Sequence, residues 1–127
     1  MDKIYLINFW AAWIGIIGGF VSGAVMGLSF HKDNWLGGYG TWRRRMIRLG
    51  HISFFGIGFI NLLYALSSHH VQYENLLATV FLIIGAVAMP LICFLSGWKK
   101  VFRHLFFIPV ISLVAGGILF LYQGGLL

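Results

Sequence analysis

Five histidines and a block of arginines are the residues of this 127-residue chain whose chemistry goes beyond packing. In RRRMIRLGHISFFGIGFINLLYA, residues 43–65, His51 follows Arg43, Arg44, Arg45 and Arg48 and stands inside an apolar segment. An ionisable group within a bilayer is expensive and is a functional candidate by default. At about 100° per residue, Arg44, Arg48, His51, Phe55, Gly58, Leu62 and Ala65 share a narrow arc of one helix, with Asn61 beside it. Gly58 removes a side chain about two turns below His51, leaving room for a neighbouring helix or a flat ring.

Two further histidines fall at the same level. His31 precedes Lys32 at the end of the first apolar segment, and His104 follows Arg103 at the start of the last. His51 is three residues, about 4.5 Å of helix, beyond Arg48, so it and His104 reach similar depth if Arg48 and Arg103 do. Two imidazoles on facing helices at one depth suit a six-coordinate b-type haem, with Arg48, Arg44 and Lys99 as propionate partners. A quinone headgroup is another occupant, since an imidazole donates to its carbonyl. A metal ion is less suited, because no thiol or carboxylate joins the three histidines and Asp33 is only a loop candidate. The plain alternative is that His51 bonds a neighbouring helix and does nothing else. His69 and His70, beside Glu74, read as solvated loop residues.

These side chains must be positioned by membrane-spanning elements. The chain is 60% hydrophobic and 9% charged, with a mean hydropathy of +0.90, outside the range of ordinary soluble domains. About 20 apolar residues cross the hydrocarbon layer. Four segments reach that length, at about 5–29, 46–67, 76–97 and 105–122, separated by HKDNWLGGYGTWRRR, SHHVQYEN and WKKVFRH. The expected fold is a single all-α membrane domain, a four-helix bundle. The start has a poor positive n-region and too long an apolar stretch for a cleaved signal, so the first helix is expected to be retained.

Charge orients the bundle. Lys32, Arg43, Arg44, Arg45, Arg48, Lys99, Lys100 and Arg103 lie on or beside the first and third connections, and only Lys3 lies opposite. Eight against one is a strong positive-inside bias, predicting cytoplasmic connections there and both termini outside. Trp35, Trp42 and Trp98 suit the inner interface, and Tyr5, Trp10, Trp13, Tyr64, Tyr73 and Tyr122 suit the outer. The net charge of +6 then points to anionic lipid, not nucleic acid, for which no soluble basic module is visible.

In the first span, Gly15, Gly19, Gly23 and Gly27 recur every four residues, with Gly18 and Ser22 beside them. Such a stripe lets another helix approach closely. Packing within the chain is the preferred reading, and contact with a partner subunit or a second copy is the other. Pro90 and Pro109 are expected to bend the third and fourth helices or open local carbonyls. Cys93 reads as a small buried hydrophobe. No Asp or Glu lies within a span, which disfavours proton-coupled exporters that depend on a membrane carboxylate. The lopsided charge disfavours a dual-topology fluoride channel. Ser53 does not face His51, and no nucleophile, base and orienting acid occur together.

The segment AMPLICFLSGWKKVFRHLFFIPVISLVAGGILF, residues 88–120, is similar to the last helix pair of small four-helix bacterial membrane proteins that accompany haem–copper oxidases and their assembly genes. The shared pattern is a proline-containing third helix, a short basic turn with histidine, then proline and Gly-Gly in the fourth. The family's histidine near the start of the third helix has no counterpart here, so no residue role is carried over. The resemblance implies a respiratory accessory or assembly subunit of a bacterial inner membrane. The alternatives are a haem- or quinone-binding electron carrier using His51 with His104 or His31, and a small-molecule transporter with Asn61, Gly58 and the prolines along its path.

Overall fold

In a computed structural model, which describes residues 3–123 and 125, four α-helices account for most of the chain. They are α1 (Tyr5–Gly27), α2 (Trp42–Val71), α3 (Leu76–Trp98) and α4 (Phe107–Gln123), with short 3-10 turns at Trp35–Gly37 and Lys100–Leu105. Each of the four spans is long and apolar enough to cross a membrane, the last when the 3-10 turn ahead of α4 is counted with it. No strand occurs among the described residues.

Three helix boundaries differ from the expected ones for identifiable reasons. α2 begins at Trp42, so all three consecutive arginines lie inside its first turn. Thr41 makes this start: its Oγ1 accepts from the Arg44 backbone N–H at 3.4 Å and lies 2.8 Å from the Leu36 carbonyl. At 30 residues α2 is about 45 Å long, against a hydrocarbon layer of about 30 Å, so both ends reach the polar interface. His69 and His70 therefore form its last turn instead of a loop. The basic WKKVFRH stretch likewise is no loop, since residues 100–105 wind as a 3-10 helix leading into α4.

The turns are tightly specified. Gly37 and Gly38 have φ of 84° and 113°, in a region that favours glycine, and Leu36 and Gln72 also adopt positive φ. Asn75 caps α3 by accepting from the Ala78 N–H at 3.1 Å. Glu74 accepts from the Ile4 N–H at 2.9 Å, placing a carboxylate from a distant loop at the N-terminus of α1.

α2 and α3 form the centre, with α1 packed mainly on α2 and α4 mainly on α3. The most apolar stretches of α2 and α3 are 39% buried, those of α1 and α4 only 22%, which marks the latter as the flanks. Glycines set both flank contacts. A Cβ at Gly19 would lie 2.7 Å from the Phe55 ring, one at Gly23 2.7 Å from the His51 ring, and one at Gly15 3.3 Å from the Phe54 carbonyl. At these three positions the glycine stripe packs against α2 of the same chain. Gly27 has nothing within 4 Å. On the other flank, Gly85 receives Leu113 and Gly116 receives Leu82.

α3 continues through the buried Pro90, which lacks the N–H that would pair with the Ala86 carbonyl. Pro109 falls in the first turn of α4, where backbone N–H groups have no intrahelical partner anyway.

Candidate functional site

His51 is directed at α1. Its Nδ1 lies 3.0 Å from Ser22 Oγ, and the same hydroxyl is 3.0 Å from the Gly19 carbonyl oxygen. A hydroxyl has one proton. With that proton donated to the carbonyl, Nδ1–H donates to Ser22 and Nε2 carries the lone pair. Phe55 meets the imidazole edge-on, with ring centroids 5.5 Å apart. The half-buried ring borders a notch of about 280 Å3 between α1 and α2, which Met26, Phe30, Arg48 and Ile52 also line. Its local chemistry is an imidazole beside a guanidinium, in an otherwise apolar recess.

The other two histidines of the expected layer stand elsewhere. His104 is exposed on the 3-10 turn that packs on α3, and His31 is exposed in the turn after α1. Neither lines the notch at His51. Among the described residues, no three His, Cys, Asp or Glu side chains are grouped to hold a metal ion.

The arginines divide by role. Arg44, expected to face the same site as His51, is 2% exposed. Its guanidinium donates to the Phe30 carbonyl at 3.1 Å and the Lys32 carbonyl at 3.5 Å. It lies 5.0 Å from the Phe30 ring centroid, 5.2 Å from Trp35 and 5.3 Å from Tyr39. This cation fastens the α1–α2 connection and does not line the notch. Arg48 does line it, while donating to the Tyr39 carbonyl at 3.3 Å and lying 4.0 Å over that ring.

Asn61 is fully buried and belongs to a polar seam nearer the opposite end. Its Oδ1 accepts from Asn8 Nδ2 at 2.7 Å, and its Nδ2 donates to the Ile57 carbonyl at 3.0 Å and the Leu82 carbonyl at 3.4 Å. This amide ties α1, α2 and α3 together. Asn8 was not singled out by sequence reasoning, although an amide within an apolar span is the signal that marks it. Tyr64 extends the seam, its hydroxyl lying 3.0 Å from both Thr79 Oγ1 and the Asn75 carbonyl. His69 Nδ1 is 3.1 Å from the Tyr5 hydroxyl, while Glu74 is engaged at Ile4.

A second recess runs between α2 and α3. At the basic end Arg43, Ile47, Phe94, Gly97 and Trp98 frame a pocket of about 280 Å3. Phe94 also borders an apolar cleft of about 460 Å3, which reaches Phe54 and Gly58 on α2, Pro90 on α3 and Gly15 on α1.

Searches against family models, curated proteins and solved structures find no match to the chain.

Proposed function

We propose that this chain is a small accessory or assembly subunit of an electron-transport complex in a bacterial inner membrane, acting through lateral helix packing. The observation that carries this reading is that a set of buried polar side chains within the spans locks the helices to each other. Asn8, Asn61, Tyr64 and Thr79 bind across helices, and Arg44 clamps a turn. The apolar outer faces of α1 and α4, with Trp13, Phe20 and Val25 on one and Phe107, Val114 and Ile118 on the other, are exposed. A rigid element with apolar flanks suits association within the bilayer. Gly15, Gly19 and Gly23 pack against α2, so association uses those outer flanks. The electron-transport component rests on the likeness of residues 88–120 to small proteins that accompany haem–copper oxidases. Affinity purification of the tagged chain from native membranes in mild detergent tests it, and a respiratory complex is the expected co-purifying species. Recovery of the chain alone contradicts it.

A second reading is an electron carrier using His51. The orientation of its imidazole supports this, since Ser22 holds Nδ1 and leaves Nε2 for a ligand. The size of the notch and the separate placement of His104 and His31 favour a quinol hydroxyl over haem. Reduced-minus-oxidised spectra test the haem form, and absence of a Soret change after haem-sufficient expression excludes it. Quinone retained by purified protein and lost in His51→Ala supports the quinone form, and equal quinone content in the two proteins rejects it.

A further inference from the structure

We infer that the groove between α2 and α3 is a binding site for one anionic phospholipid, with its phosphate at Arg43 and an acyl chain in the apolar cleft. The pocket at the basic end and the cleft share Phe94. On α2, Arg43, Ile47, Phe54 and Gly58 succeed one another at spacings of four, seven and four, one face of a helix. On α3, Pro90, Phe94 and Gly97 continue the opposite wall. The Phe94 ring, seated on Gly50, separates the two recesses and borders both, so a chain running from the cationic end to the cleft, where Ala11 and Ile14 of α1 add a wall, passes over that ring.

The depths match a lipid of one leaflet. Phe54 and Gly58 lie 11 and 15 residues along α2 from Arg43, about 16 and 22 Å. Half the hydrocarbon layer is about 15 Å and the headgroup region adds several more. With Arg43 at headgroup level, the cleft falls near the bilayer midplane, where an acyl chain ends. Its walls suit that chain. Its floor is the close approach of α1 and α2 at Gly15 and Gly58, and Phe54 and Phe94, whose ring centroids are 6.1 Å apart, face the path.

The other end suits a phosphate. Arg43 Nε donates to the Gly97 carbonyl at 3.2 Å, which fixes the stem, while the residue remains exposed at the groove mouth. Lys99 Nζ lies 4.9 Å over the Trp98 ring and Lys100 Nζ 5.8 Å over Trp42. Trp42 is itself anchored by donating to the Ser96 carbonyl at 2.7 Å. Cations held on interfacial tryptophans beside an exposed arginine form a headgroup site that selects negative charge.

The test is native mass spectrometry of the full chain in non-ionic detergent, titrated separately with dioleoyl phosphatidylglycerol and dioleoyl phosphatidylcholine. The expected result is one phosphatidylglycerol bound in preference to phosphatidylcholine, retained in millimolar inorganic phosphate. Arg43→Gln should weaken it about fivefold or more, with Arg43→Lys restoring much of the loss. Val87→Trp, at the exposed lip of the cleft, should weaken both lipids. Lys32→Gln, exposed on the other connection, should leave binding unchanged. Equal binding of the two lipids, unchanged binding in Arg43→Gln, or an equal loss in Lys32→Gln overturns the site in favour of diffuse surface attraction. Helical content by circular dichroism accompanies each variant, and the exposure of positions 43 and 87 preserves folding.

Discussion

Arg44 and Arg45 are neighbours in sequence and opposites in the fold. Arg44 is buried against three aromatic rings and donates to two carbonyls, while Arg45 is exposed. Neutralising them should separate their roles. Arg44→Gln is expected to lower stability by about 2 kcal/mol through lost carbonyl bonds and cation–π contacts, and Arg45→Gln by less than about 0.5 kcal/mol. Reversible unfolding in SDS measures both. The amide pair makes a second case. A double-mutant cycle on Asn8→Ala and Asn61→Ala should give a favourable coupling of about 0.6 kcal/mol or more, up to the maximum of about 1.7 kcal/mol for hydrogen bonds between membrane helices. Zero coupling would leave the 2.7 Å contact without energetic weight. The sequence marks His51 as needing an explanation but does not identify its partner. Ser22 and Gly23 are met only when α1 rotates its small-residue face toward α2. Helix rotation depends on tertiary packing, so His104 and His31 were credible partners until the faces were known.

At the level of the element, α1 and α2 form a unit in which each missing Cβ is matched by a large ring. Gly19→Leu forces side-chain carbons into Phe55 and should cost about 3 kcal/mol or more. Gly27→Leu meets open space and should change stability by less than about 0.5 kcal/mol. Similar losses at both positions would contradict the proposed register of α1 on α2. The existence of four helices was legible because about 20 apolar residues between polar runs leave the backbone few other solutions in lipid. The ends were less legible. Apolar length places the start of α2 at Met46, but the Thr41 cap begins it four residues earlier, ahead of three arginines that hydropathy reads as loop. What Pro109 does to α4 depends on its distance from the helix start, which hydropathy alone does not fix. Winding of residues 100–105 as a 3-10 turn puts it in the first turn, where proline is tolerated.

Across the whole molecule, the start of α2 and the end of α3 are pinned together through Trp42 with Ser96 and Arg43 with Gly97. The cations of the first and third connections therefore collect at one end. The opposite end holds Glu74 and Lys3, with Glu74 bound to the start of α1. If that asymmetry orients the chain by the positive-inside rule, single cysteines in a Cys93→Ala background should report it. A cysteine at position 100 should react only from the cytoplasmic face, and one at position 72 only from the outer face. The reverse pattern would reject the proposed orientation. The central functional claim is lateral association with an electron-transport complex. Its most direct test is native mass spectrometry of the tagged chain extracted from its own membranes. The account predicts a stoichiometric assembly with larger respiratory subunits, dissociated by polar substitutions at Phe20 and Val25 on the outer face of α1 but unaffected by His51→Ala. A chain that flies alone, or only as copies of itself, would contradict it.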